Sequence, residues 1–266
     1  MSHSLPCILT VAGSDSSCGA GVQADIKTIA ALGGYGLNAL TSVVSEIPGL
    51  VSKVQLLDAE LIADQIRVLF DGFPIAAAKT GMLGGLGQTR SVVAIWQQLP
   101  RPVPLVVDPV MVATGGGRLL EEDAIEAVKQ ELLPLAAVVT PNMDAAEVLW
   151  GRAVKTRSDM EECAHDLHRL CGAAVLVKGG HLEGGAAADV LWDWQGPQWF
   201  ESPRVEGVHT HGTGCTYSAA IATGLGKGLP LAEAVRQAKI FVHQAIAQHH
   251  AWGDVHALNH FHPLPR

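Results

Sequence analysis

The stretch AAVVTPNMD, residues 136–144, ends one kind of structure and begins another. Ala136 to Val139 is a short apolar run of the sort buried on both faces of a sheet, and Pro141 ends it because proline donates no ladder hydrogen bond. Asn142 or Asp144 can then cap a helix over Asp144–Trp150. Five further runs repeat the pattern, each closed by a turn carrying polar or glycine residues: CILTVAG from Cys7, ALTSVVSE from Ala39, AAAKTGML from Ala76, PLVVDPVMV from Pro104 and AAVLVKGG from Ala173. Helix-period segments fit between them at Val22–Leu32, Ala59–Phe70, Leu86–Gln97, Glu121–Leu132 and Arg157–Leu170. That alternation is the βαβ rhythm of a mainly parallel sheet covered by helices on both faces, a three-layer α/β fold.

Beyond KGGHLEGG, the segments AADVLWDW and PQWFESP read as a short antiparallel hairpin, and helices at Thr216–Leu225 and Leu231–His250 follow. No repeat or linker divides the chain, so residues 1–266 are expected to form one domain. In an open parallel sheet, ligands bind beyond the carboxyl ends of the strands. Asp15, Glu46, Lys79, Asp108, Asn142 and Lys178 fall there.

Composition narrows the function. With 48% hydrophobic residues the chain can bury a large core, and a formal charge of −8 without a basic block excludes the electrostatic footprint of a nucleic-acid binder. The opening MSHSLPCILTVAG lacks a positive region and a long apolar run, so neither export nor a membrane span is expected, and the reading is cytoplasmic. Cys7, Cys18, Cys163, Cys171 and Cys215 have irregular spacing and no C-x-x-C pair, which makes free thiols the expectation.

An anionic substrate must then be held by local features, and HTHGTGCTY, residues 209–217, supplies one. Gly212, Thr213 and Gly214 can turn successive backbone N–H groups toward one point, where the following helix also directs its positive end. Cys215 sits at that helix start, where the dipole is expected to lower a thiol pKa. Such a thiolate can serve as general base or as nucleophile; a small buried hydrophobe is the alternative. No G-x-x-x-x-G-K-[ST] loop occurs, and no G-x-G-x-x-G follows the first strand.

Six ordered motifs, AGSDSSCGAGVQADIKT, AAKTGML, VVDPVMVATGGG, TPN, VLVKGGH and THGTGCT, resemble the hydroxymethylpyrimidine/phosphomethylpyrimidine kinases of thiamine biosynthesis, in the ribokinase-like superfamily. The resemblance runs from about Cys7 to His262. It implies transfer of the ATP γ-phosphoryl group, with Mg²⁺, to 4-amino-5-hydroxymethyl-2-methylpyrimidine and then to its monophosphate. It makes Cys215 the base, Gly212 to Gly214 the anion hole and Lys178 a phosphate contact. Asp108 and Asn142 are carried over to the Mg·ATP region, with Thr213 beside the nucleotide and Asp108 as the metal ligand. Ala20, Asp25, Glu46, Met82 and Val110 match positions that line the pyrimidine pocket, and the family often forms homodimers.

Bland readings stand beside these. Asp25 can be a carboxylate in the first turn of a helix, and Asp108 a turn aspartate before Pro109. His260 and His262 can pack a C-terminal segment or share a metal. Three departures from the family pattern bear on the site. Ala145 stands where glutamate is usual three residues after the asparagine, Cys18 where glycine is usual, and Ile47 and Pro48 where an Asn-Thr pair is common. A pyridoxal kinase of the same superfamily is the nearest alternative, and a non-catalytic pyrimidine-binding protein a more distant one.

Overall fold

The computed structural model describes residues 4–99, 101–111, 122–180, 182, 186–208 and 211–262. Strands β1 (Cys7–Ala12) and β2 (Tyr35–Leu40) flank helix α1 (Gly21–Ala31), and a projecting hairpin of β3 (Ser42–Ile47) and β4 (Leu50–Leu56) follows. Helix α2 (Ala59–Gly72), β5 (Ile75–Thr80), α3 (Leu86–Gln97) and β6 (Leu105–Val107) come next. Helix α4 (Glu122–Ala127) is extended by a widened turn at Val128–Leu132 and leads to β7 (Val138–Val139), α5 (Met143–Trp150), α6 (Arg157–Cys171) and β8 (Ala174–Gly179). The antiparallel β9 (Ala186–Asp193) and β10 (Gly196–Pro203), helices α7 (Thr213–Gly226) and α8 (Leu231–Ala247), and a small hairpin of β11 (His250–Trp252) and β12 (Val255–Ala257) complete the chain.

The main sheet has the order β10-β9-β8-β7-β6-β5-β1-β2. From β2 to β8 every neighbouring pair is parallel, and β9 and β10 extend the β8 edge antiparallel. Strand alternation divides the core. Ile8, Ala77, Val106, Val138 and Leu176 face α7 and α8, whereas Leu9, Val107, Val139 and Val175 face the layer containing α3, α5 and α6.

The junction at 136–144 forms as read. Asn142 is the N-cap of α5, and its side-chain oxygen accepts from Ala145 N at 2.8 Å. The expected strand at Ala39–Glu46 divides instead: β2 ends at Leu40, and β3 leaves the sheet to pair only with β4. Burial alternates along this stretch, with Ser42 and Val44 inward and Val43 and Ser45 exposed, which suits a ribbon covered on one face better than a strand covered on both. The strand expected over residues 104–112 is ordered as Leu105–Val107, with its end beyond the described residues.

Helix α7 has Thr216 to Gly224 all buried, and its hydroxyl groups within that stretch are hydrogen-bonded. Beside its first turns lies a buried ion pair between layers: Lys79 Nζ on β5 contacts the Asp25 oxygens of α1 at 3.1 and 3.0 Å, and Thr10 Oγ1 donates to the same carboxylate at 2.6 Å. Both side chains are 0% exposed. Burial pushes the Asp25 carboxyl up, but Lys79 opposes that, and Asp25 raises the lysine pKa against its own desolvation. Close bidentate contact keeps the pair ionised.

Removing one member strands a buried charge. Lys79→Met should lower unfolding free energy by about 3–5 kcal/mol, and adding Asp25→Leu should recover at least half of that loss. Urea denaturation of the three proteins checks this; additive losses in the double variant contradict it.

Candidate active site

The sequence expected a glycine turn aimed at an anion, and the structure gives it a backbone reason. Gly212, the N-cap of α7, has φ 81, a left-handed conformation that suits glycine, and a Cβ there would stand 1.8 Å from Gly19 O. No side chain caps the helix, so the N–H groups of its first turn remain available to an anion. A Cβ on Gly214 would lie 3.3 Å from Lys178 Nζ and 3.5 Å from Asp108 Oδ2, so side-chain-free backbone brings these charges to the helix start.

Lys178, near the end of β8, donates to Asp108 Oδ1 at 2.9 Å, and Ser218 Oγ donates to Asp108 Oδ2 at 3.2 Å. Asn142 is bridged to Lys178 through the backbone, while its side chain serves α5. Asp108 therefore offers its carboxylate beside the anion turn but already shares it with two donors.

Cys215 occupies the first turn of α7 and is partly exposed as a residue. Its thiol pKa is pushed up to about 11, which corrects the expectation of a lowered value. Burial is the largest cause. The Lys79 charge and the Gly21 N–H favour thiolate, but burial with the Asp25 and Asp108 carboxylates outweighs them. The resting group is a neutral thiol whose conversion to a base requires proton loss.

The other side of the site is organised by Asp15, which is wholly buried. It accepts from Ser17 N at 2.6 Å, Gly19 N at 3.0 Å and Ala20 N at 2.7 Å, and His211 Nε2 lies 3.0 Å away. Burial alone raises this carboxyl, but the bonds from His211, Ser17 and Ala20 prevail and bring it to about 2. Glu46 on β3 is tied to the same loop: Ser16 Oγ donates to its carbonyl at 2.7 Å and accepts its N–H at 2.8 Å. Burial, then the Asp15 charge, raises the Glu46 carboxyl. Met82 O accepts Gly13 N at 3.1 Å and Thr41 Oγ1 at 2.6 Å, fixing Met82 beside the loop. Val110, partly exposed, shares a small cavity with Asp108, Thr80 and Gly81. Cys18 has φ 60, so a side chain occupies the left-handed position where the family usually has glycine.

The structure thus gathers Gly212, Thr213, Gly214, Cys215, Lys178 and Asp108 into one group, and Ala20, Glu46, Asp15 and His211 into another that touches it through Gly19 and Gly212. Asp25 lies beyond the first turn of α1 and is sealed on Lys79 beneath the site, its side chain 0% exposed. The clamp by Asp15 and the part played by His211 were missed. The sequence places Asp15 only by strand position, and His211 is one of three polar residues before the glycine turn. Asp189, which accepts from Lys239 Nζ at 2.6 Å and Tyr217 Oη at 3.0 Å, was also missed; the signal was a charge in the middle of an apolar strand.

The metal expectations divide. A phosphate-bound Mg²⁺ needs one or two carboxylates and keeps its waters, and Asp108 fits that need. Ala145 is buried where a second carboxylate is usual, and Glu147 Oε1 accepts from Val154 N at 2.8 Å, while Asp144 is exposed. Of the tail histidines, His260 Nε2 lies 3.0 Å from Thr216 Oγ1 and His262 Nε2 lies 3.1 Å from Phe241 O, both buried. His209 and Thr210 fall outside the described residues.

A parallel sheet with an uncapped helix start at its carboxyl edge, without a Walker loop, is the architecture of the ribokinase-like kinases. Within that class the chain belongs to the phosphomethylpyrimidine kinase family, whose model matches residues 15–260. The hydroxymethylpyrimidine/phosphomethylpyrimidine kinase of Rhizobium meliloti is 44% identical over 241 residues, covering 90% of each protein. The thiamine biosynthesis bifunctional protein ThiED of Geobacter sulfurreducens is 43% identical over 256 residues; that match takes in 95% of this chain and 52% of the longer relative. The pyridoxal kinase of Bacillus subtilis, solved as an ADP complex, superposes with a TM-score of 0.88 at 38% identity, covering 97% of this chain and 98% of that one. The protein is a kinase, and among the described residues no helix is long and apolar enough to cross a membrane.

If Cys215 serves as the base, its raised thiol pKa sets the sign of the pH dependence. With the thiol at about 11, kcat/KM for the alcohol substrate should rise about tenfold per unit between pH 7 and 9, because only the deprotonated form accepts a proton. Cys215→Ala should lower the rate by roughly two to four orders of magnitude and flatten the profile. A wild-type plateau below pH 8, or an alanine variant with near-normal turnover and native melting, contradicts this role.

Proposed function

We propose that the protein phosphorylates 4-amino-5-hydroxymethyl-2-methylpyrimidine and then its monophosphate, with ATP as donor. The observation that carries this reading is the contact between two groups of residues: the Glu46 loop, which can read a ring, and the Gly212–Gly214 turn, which can hold a phosphate, meet at Gly19. Family membership over residues 15–260 and the names of the relatives support the substrate class.

In this reading Glu46 accepts from the exocyclic amine of the ring, while Ala20, Met82 and Val110 border it. Cys215 removes the hydroxymethyl proton as the oxygen attacks, and the N–H groups from Gly212 to Gly214 receive the transferring phosphoryl oxygens. Lys178 balances charge that builds on that group, Thr213 and Asn142 border the nucleotide, and Asp108 is the carboxylate for Mg²⁺. When bound with the nucleotide, Mg²⁺ neutralises phosphate charge. Five free cysteines suit a reducing cytoplasm.

A homodimer completes the reading, with the β3–β4 hairpin as its contact. Val43, Ile47 and Leu50 are 51%, 52% and 59% exposed there, and Ile47 pairs with Leu50 across the ribbon. Ile47→Asp with Leu50→Asp should convert the dimer to monomer in light scattering. A monomeric wild-type protein, or an unaltered dimer in the variant, refutes this contact.

The rival substrate is pyridoxal, whose ring carries a phenolic oxygen at the edge where the aminopyrimidine carries its amine. That oxygen is often anionic at neutral pH and is repelled by a carboxylate. Hydroxymethylpyrimidine should therefore exceed pyridoxal in kcat/KM by at least about 100-fold, or about 2.7 kcal/mol. Glu46→Gln should narrow the ratio while keeping the pyrimidine reaction. Steady-state assays of both enzymes on both substrates decide; a wild-type preference for pyridoxal gives that reading the site.

A further inference from the structure

His211 is the residue before the left-handed glycine that opens α7, and the mechanism above gives it no part. It is held from behind. Its Nε2 stands 3.0 Å from Asp15 Oδ2, and one donor atom from each of Asp15, Glu46 and His211 falls within 4.8 Å of the others. Asp15 cannot swing away, because three backbone N–H groups of its own loop also bind it. The imidazole is packed closely as well: a Cβ on Gly19 would stand 2.9 Å from its Cδ2. A ring set between a buried carboxylate and a half-buried one is favoured as imidazolium, and the bond to Asp15 is the largest cause of its raised pKa.

The charges around the anion turn show what such a cation offers. Lys178 is matched by Asp108 at 2.9 Å, and Lys79 by Asp25 at 3.0 Å. The His211 side chain is 15% exposed against 0% for Asp15, so it is the member of its pair that solvent and ligand can reach. Asp15 takes the proton on Nε2, and an imidazolium keeps a second donor at Nδ1. The two substrates proposed above differ by one group: the alcohol is neutral at its reacting arm, whereas its monophosphate carries roughly −1.5 to −2 charge at neutral pH. Asp15, Glu46 and Asp108 all oppose that added charge.

We propose that His211 is the specificity-determining residue for the second substrate: its imidazolium, oriented by Asp15, donates from Nδ1 to the phosphate of the monophosphate and supplies the counter-charge that the neutral alcohol does not need. The inference rests on the two-substrate reading. His211 then ranks the two ligands, while Asp15 acts through it as a positioning residue.

Isothermal titration of the full chain with the alcohol and with the monophosphate, for wild type, His211→Gln and His211→Lys, tests this without requiring turnover. His211→Gln should lose about tenfold or more affinity for the monophosphate beyond any loss for the alcohol, the size of one charge-assisted hydrogen bond. His211→Lys should restore most of that difference, and melting curves should show all three proteins folded. Equal losses for both ligands would mean that His211 only latches the loop, and an unchanged ratio would mean that it does not sense the phosphate; either overturns the inference while the two-substrate reading stands. Tight Zn²⁺ binding by the substrate-free wild type, lost in His211→Gln, would make the cluster a metal site and overturn it as well. A wild-type chain that binds neither ligand removes the two-substrate reading and this inference together.

Discussion

Helix α7 can be buried only because its charged neighbours are paired. Three lysine–aspartate pairs reach its first half: Lys79 with Asp25, Lys178 with Asp108, and Lys239 with Asp189. Two of the aspartates also accept from the helix itself, Asp108 from Ser218 and Asp189 from Tyr217. Such pairs contribute little net stability against apolar replacements, yet each is costly to break singly. Their effect is to fix the position of the helix through Ser218 and Tyr217 rather than through its alanine-rich surface alone. The anion turn lies at the end of that helix, so its placement follows from these charges.

The same pairing accounts for the state of Cys215. A helix start alone favours thiolate, but here it is set deep, with Asp25 and Asp108 as well as Lys79 around it. The arrangement keeps the thiol protonated at rest and therefore less reactive toward oxidants and electrophiles, since thiolate is the nucleophilic form. The scaffold that sets the group at the helix start also shields it.

The sheet was legible because each parallel strand is a short apolar run with a polar stop, and the junction at Asn142 follows local rules of capping. What local rules could not supply was pairing across the chain. Lys79, Asp108 and Lys178 were visible as polar residues at strand ends, but nothing in their neighbourhoods names Asp25 or Ser218 as partners. Asp25 shows the limit well: its sequence context suits either a pocket or a helix turn, and only the stacking of α1 on β5 places it against Lys79. The β3–β4 ribbon was missed for a related reason. Its alternating pattern is that of any half-buried strand, and its departure from the sheet is decided by contact with the Asp15 loop. The reach of the Gly-Thr-Gly turn was readable from composition; the histidine before it was not, because an imidazole gains its character from the carboxylate it meets.

Asp15 and His211 are 196 positions apart in sequence. On a ribosome, the loop held by Asp15 emerges with the first βα unit, long before the turn that carries His211. Distant contacts of this kind form late, since chain must be closed over the whole interval before they contribute. A growing or truncated chain lacking α7 therefore has the Asp15 loop without the glycine turn and the histidine that meet it. The two halves of the site therefore come together only near the completion of the domain.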